Sequence, residues 1–277
     1  MITCTLADTD INQIAKSGQC FRMREVSDRE RFTDSPCEYE MIAQDKILRV
    51  GQSGNSFSFA CSHEEFEKFW RDYFDLSTDY SEIKRLADAE DVFLNKAIEF
   101  GAGIRILRQD LWEMIVTFII SQQNNIPRIA KCIDNICRRY GRELANPYGG
   151  VYYSFPTADV LAKLEEDALM ECNLGYRSKY VVRVAKEVAE GKLNLEELRA
   201  MNYQDARKRL LGLYGVGVKV ADCISLFGLH FIDAFPVDTH IKQIIEREYP
   251  DGFPLERYDG YAGIIQQYIF YYEINNK

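Results

Sequence analysis

Residues 213–219 read Leu213-Tyr214-Gly215-Val216-Gly217-Val218-Lys219, a glycine turn set between two helical stretches. Upstream, residues 205–213 carry the apolar spacing of a helix, and residues 219–229 carry it again. Two glycines separated by one residue let the backbone turn tightly between them and leave its amides open. Those amides stand beside the N-terminus of the second helix, where a phosphate oxygen is favourably held. Val216, apolar between the glycines, is expected to plug the turn into the protein. An ordinary αα-turn is the alternative for these residues alone.

Helix, hairpin and helix in this order form a unit that grips a DNA backbone without reading its sequence. Lys219 falls in the first turn of the second helix, where a cation opposes the helix dipole. A merely structural lysine is disfavoured there, and a lysine amine is the nucleophile of Schiff-base chemistry. Further along, Phe235-Pro236-Val237-Asp238-Thr239-His240 leads into another helix. Asp238 is expected to cap it. A cap geometry also fixes a carboxylate at a helix end, where it can stabilise positive charge developing at a sugar carbon. Lys219 and Asp238 are therefore the candidate catalytic pair.

Away from this segment the chain changes character. Its first 62 residues look β-rich: MIAQDKILRVGQSGNSFSFAC at 41–61 alternates short apolar runs with turn residues, as antiparallel hairpins do. From His63 the period becomes helical, and EEFEKFWRDYF at 64–74 sets Phe66, Phe69, Trp70 and Phe74 on one stripe. Helices are also expected in LWEMIVTFIISQQ (111–123), in IPRIAKCIDNICRRY (126–140) ending at Gly141, after a cap at Thr157, and in YAGIIQQYIFYYE (261–273). The predicted fold class is α+β, mainly helical, with an N-terminal antiparallel sheet followed by a helical bundle. The expected division is a β-rich domain at 1–85 and a helical domain at 86–277. The latter holds the hairpin unit at 205–229, and the C-terminal helix packs back near the N-terminal part.

The formal net charge of −9 argues by itself against a nucleic-acid partner. Its distribution argues otherwise. Acidic residues gather at 63–99, while basic residues cluster at Arg128, Lys131, Arg138, Arg139 and Arg142, at Arg177, Lys179, Arg183 and Lys186, and at Arg207, Lys208, Arg209 and Lys219. A local basic face can hold phosphates on an acidic protein, with weaker non-specific attraction. The eight cysteines show no CxxC spacing, which favours reduced, buried thiols over a metal or iron–sulfur site. No apolar run is long enough for a membrane helix. The N-terminus lacks the basic start and apolar core of a signal peptide. An intracellular monomer is expected, in the cytoplasm or nucleoid of a prokaryote.

GVGxKVADC and PVDxH together resemble the helix-hairpin-helix-GPD DNA glycosylases, and within them the 8-oxoguanine DNA glycosylases. The resemblance spans nearly the whole chain. It implies that Lys219 is the catalytic lysine and Asp238 the catalytic aspartate of a bifunctional glycosylase and abasic-site lyase. The amine displaces the base at C1′, a Schiff base forms, and β-elimination cuts the strand 3′ to the lesion. Ser17-Gly18-Gln19-Cys20-Phe21-Arg22 is similar to a family motif whose glycine carbonyl accepts from the N7–H of 8-oxoguanine. Cys223 matches a cysteine lining the base pocket. In Tyr261-Ala262-Gly263-Ile264-Ile265-Gln266-Gln267-Tyr268-Ile269-Phe270, Gln266 matches the glutamine for the base's Watson–Crick edge and Phe270 the ring that stacks on it.

The same resemblance places the opposite-strand contacts. Residues 121–128, Ser121-Gln122-Gln123-Asn124-Asn125-Ile126-Pro127-Arg128, are similar to the family's NNNxxR stretch, with Gln123 where eukaryotic-type enzymes carry asparagine. Asn173-Leu174-Gly175-Tyr176-Arg177 resembles its LGYR stretch. Gln123, Asn124, Arg128, Tyr176 and Arg177 are thus expected to contact DNA beside the flipped base, with Arg128 and Arg177 reading cytosine. Gly215 and Gly217 would contact DNA through the hairpin, and His240 would contact phosphate. No cofactor or metal is expected in the chemistry, although a structural cation could bridge the hairpin to phosphate. The expected partner is double-stranded DNA containing 8-oxoguanine opposite cytosine. Alternatives are a thymine-glycol glycosylase resembling endonuclease III, an alkylated-base glycosylase, and a non-catalytic hairpin module.

Overall fold

The computed structural model describes residues 1–276, which divide into two compact units. The first comprises residues 1–41, 48–108 and 230–276, and the second residues 42–47 and 109–229. The boundary thus falls after residue 108, later than an 85/86 division, and the C-terminal segment belongs with the N-terminal one.

The first unit is built on a five-stranded sheet ordered β1-β5-β4-β3-β2. Its strands are β1 (Ile2–Thr5), β2 (Met23–Glu25), β3 (Cys37–Ala43), β4 (Lys46–Ser53) and β5 (Ser56–Phe59). The pairings β1–β5, β4–β5 and β2–β3 are antiparallel, and β4 and β5 lie in the 41–61 stretch that alternates apolar runs with turn residues. Period-two spacing sends Phe57 and Phe59 of β5 to the buried face. Phe59 meets Phe66 and Phe74 at centroid distances of 4.9 and 5.7 Å.

Helix α1 spans Ile11–Lys16. A continuous helical run follows at 63–73, made of α2 (His63–Glu65), a π-wound segment (Phe66–Trp70) and α3 (Arg71–Tyr73). Next come α4 (Tyr80–Arg85) and α5 (Val92–Phe100).

In the second unit every residue of α6 (Leu111–Ile120) is buried, which explains its almost wholly apolar sequence. Helix α7 (Ile126–Tyr140) begins at Asn125, whose side chain accepts from the Arg128 amide, and carries Pro127 in its first turn. It stops at Gly141, where a Cβ would lie 2.0 Å from the Ser154 carbonyl oxygen. A two-stranded ribbon, β6 (Glu143–Ala145) with β7 (Val151–Tyr153), follows. The unit continues with α8 (Ala158–Ala162), α9 (Arg177–Ala189), α10 (Leu195–Ala200), α11 (Tyr203–Leu211) and α12 (Val218–Phe227). Helix α12 packs on α6 and α11, with Phe118 and Phe227 stacked at 5.3 Å.

The first unit closes with α13 (Thr239–Glu248) and α14 (Ala262–Asn275), and α14 packs on α5 and α13. No described helix is long and apolar enough to cross a membrane. Five cysteines are buried, three are partly buried, and none of the eight is in a disulfide.

Candidate functional site

The expected site residues fall in both units, and each set is built by its own local rules. In the second unit, α11 and α12 flank a turn at 212–217. Gly215 adopts φ +81°, and a Cβ there would lie 2.6 Å from the Tyr180 ring, so both conformation and space demand glycine. Val216 is 7 % exposed, while Tyr214 and Val218 on either side are open to solvent.

Gly217 caps α12 without a side chain, whereas Asp110, Asn125 and Asn202 cap α6, α7 and α11 through theirs. The first-turn amides of α12 therefore lack a side-chain acceptor and can receive an external anion.

Lys219 occupies that uncapped first turn, half-buried. Its Nζ donates to Ser121 Oγ at 3.5 Å and lies 5.6 Å from the centre of the Phe118 ring. Among the described residues it has no carboxylate partner. Cys223, one turn further along α12, is buried.

The neighbouring loop is tied to the hairpin by Gln122, whose Nε2 donates to the Ile119 and Gly215 carbonyls at 3.1 and 3.0 Å. Gln123 is exposed with φ +47°. Asn124 is anchored by its Nδ2 donating to the Ile120 carbonyl at 3.0 Å. Tyr176, 46 % exposed, stands at the start of α9. Arg177 beside it is only 4 % exposed. Its guanidinium donates to the carbonyls of Gln122, Gln123 and Leu174. Arg128 is the exposed arginine of the set.

The first unit gathers Gly18, Asp238, His240, Gln266 and Phe270. Asp238 caps α13, its Oδ1 accepting from the Ile241 amide at 2.9 Å. Gln266 is 5 % exposed; its Nε2 donates to the Pro236 carbonyl at 3.2 Å, and its Oε1 is buried with no partner among the described residues. An orphaned buried carbonyl is costly unless a donor arrives, and a guanine-type Watson–Crick edge brings donors. Phe270 meets His240 edge-on at 6.0 Å, and His240 Nδ1 is buried without a partner.

Both units match known protein families. Residues 1–115 match the N-terminal domain of 8-oxoguanine DNA glycosylase, and residues 116–251 match the HhH-GPD superfamily of base excision DNA repair proteins. The structure of MBOgg1 in complex with a low-affinity DNA ligand superposes with a TM-score of 0.91 at 35 % identity, covering 99 % of this chain and 95 % of that one. The chain belongs to the 8-oxoguanine DNA glycosylase family.

Another member is the Clostridium acetobutylicum 8-oxoguanine glycosylase/lyase, solved with double-stranded DNA containing cytosine opposite 8-oxoG. It is 38 % identical, with a TM-score of 0.89 and coverage of 98 and 93 %. The Saccharomyces cerevisiae N-glycosylase/DNA lyase is 37 % identical over 53 % of this chain, and the match spans 42 % of that protein.

Within this family frame, several basic residues are less available than their spacing suggested. Lys131 and Arg138 pair with Asp134, Arg139 with Glu171, Arg142 with Asp45, Arg183 with Glu166, and Arg207 with buried Asp222. Arg128, Lys179, Lys186 and Lys208 have no ion pair among the described residues. No role for Ser121, Gln122 or Gln19 was legible in sequence, and Gln267 stood there only as the neighbour of Gln266, because an amide or hydroxyl looks the same in sequence whether exposed or buried. Among the described residues no three His, Cys, Asp or Glu side chains gather to hold a metal.

Proposed function

We propose that this chain is a bifunctional DNA glycosylase and abasic-site lyase that removes 8-oxoguanine, opposite cytosine, from duplex DNA. Lys219 carries the reading: a half-buried amine in the first turn of a hairpin helix, without a carboxylate partner, is poorly explained as structural. Flipping the damaged nucleotide costs a few kcal/mol of unstacking. Tyr176 fills the gap, and the hairpin amides at Gly215 and Gly217, with His240, hold phosphates. Gly18, Cys223, Gln266 and Phe270 select the base.

Lys219 gives its lone pair to C1′ and sheds a proton. The C1′–N9 bond breaks, and its electron pair leaves with the base, which takes up a proton. Asp238 stabilises the positive charge that develops at C1′. The sugar then opens to a Schiff base, loses a C2′ proton and expels the 3′ phosphate.

Gln123 and Asn124 flank the opposite base. Arg128 is available to cytosine directly, whereas Arg177 must release loop carbonyls to reach it. A hairpin cation would draw on main-chain carbonyls; Gly215 O already accepts from Gln122 and Leu213 O from the Val216 amide. The enzyme acts inside the cell as a monomer.

A panel of duplexes with 8-oxoguanine, thymine glycol or 3-methyladenine opposite each normal base tests the reading. Release of 8-oxoguanine with a strand cut, fastest opposite cytosine, is expected. Preference for another lesion would contradict it.

A further inference from the structure

In the first unit, buried amides surround Gly18 in a way that base excision as proposed leaves unused. Gly18 sits at φ +75°, between Ser17 and Gln19, which are both fully buried. Gln267 of α14, 2 % exposed, donates from Nε2 to the Ser17 carbonyl at 2.5 Å. From the other side, Gln19 Nε2 donates to Ser17 Oγ and to the Arg105 carbonyl, each at 2.9 Å, and Gln19 Oε1 accepts from the Leu107 amide at 2.8 Å. The Ser17 hydroxyl donates to the Ile14 carbonyl at 2.8 Å. Among the described residues, no donor reaches the Gly18 carbonyl.

A glycine in the left-handed region does not set its own carbonyl direction, because it has no side chain to limit the backbone. Here the direction is set by neighbours: the 17–18 peptide is held from α14, and residue 19 from the 105–107 segment. Successive residues of a helix point about 100° apart. Gln266 and Gln267 therefore diverge, one to the Pro236 carbonyl and the other to the Ser17 carbonyl. One helix thus carries Gln266 and Phe270 and also braces the loop of the third base contact.

The geometry points to Gln267 as a positioning residue for lesion specificity: it fixes the 17–18 peptide so that the Gly18 carbonyl keeps an orientation satisfied by N7–H of 8-oxoguanine and opposed by the N7 lone pair of guanine. This rests on Gly18 being the N7–H contact.

The test compares single-turnover excision of 8-oxoguanine and of its 7-deaza analogue, in which C7–H replaces N7–H, by the wild type and by Gln267→Met. The wild type should prefer 8-oxoguanine by roughly tenfold or more, and the variant by no more than about threefold. Cleavage of a preformed abasic site, which has no base to read, should stay at the wild-type rate. A wild type indifferent to the analogue would overturn the Gly18 reading. A wild-type preference that survives unchanged in folded Gln267→Met would overturn the role of Gln267 alone. Gln267→Glu, isosteric but without the amide donor, serves as a second variant with the same expectation. Failure of both variants to fold would contradict a role confined to positioning.

Discussion

At Gln123 a flexible side chain sits on a left-handed backbone, φ +47°, where asparagine is far more at home. Gln123→Asn is expected to raise stability by about 0.5 kcal/mol and to sharpen the preference for cytosine. Thermal melting and excision opposite each base measure both, and a lower melting temperature would contradict the strain. Gly215 is the converse case. Gly215→Ala would force a Cβ into the Tyr180 ring at φ +81° and should cost about 1–3 kcal/mol together with DNA affinity. Unchanged duplex binding by the variant would show the turn to be dispensable. Gly215 was legible in sequence because few residues other than glycine suit a tight turn. The carbonyl-bound state of Arg177 was not, because a buried arginine and an exposed one are written with the same letter.

At the start of α13, Asp238 is a cap by observation and a catalytic carboxylate by proposal. Asparagine caps as well as aspartate does, so Asp238→Asn should leave the melting temperature and DNA binding near wild type while turnover falls about 10²-fold or more. Asp238→Ala should lose the same activity and a further ~1 kcal/mol of stability. Near wild-type turnover in Asp238→Asn would reduce Asp238 to a cap. The start of α13 was readable in PVDTH, and so was the stop of α7 at Gly141. The π-winding at 66–70 was not, since over one turn the apolar stripe of Phe66 and Trp70 looks the same for either winding. Helix α14 hid its burial differently. It is buried on nearly every side, so Gln266 and Gln267, which look like surface polar residues, lie in the interior.

Across the whole molecule, the first unit is braced by a buried charge cluster. Asp75 Oδ1 accepts from Thr78 Oγ1 and the Arg108 guanidinium, and Oδ2 accepts from the Tyr80 hydroxyl and faces His230 Nε2 at 3.4 Å. Burial pushes the Asp75 carboxyl upward, but His230, Arg108 and Thr78 outweigh it and hold the group below the usual carboxylate range. Its stabilisation is therefore complete above the unfolded value, about 3.9, and is lost as pH falls through the lower folded value. Denaturant midpoints should fall below about pH 4, and Asp75→Asn should cost about 3 kcal/mol at neutral pH while flattening that acid limb. An unchanged acid limb in the variant would place the acid sensitivity elsewhere.

The fold class, the hairpin between α11 and α12 and the cap at Asp238 were legible because glycine turns, caps and apolar periods are local. The division after residue 108 was not, because it depends on which distant segments pack together. Borohydride trapping on an 8-oxoguanine duplex bears most directly on the chemistry assigned to this chain. The wild type should become covalently linked to DNA and Lys219→Gln should not; a Lys219→Gln protein that still traps at the wild-type level would contradict the assignment.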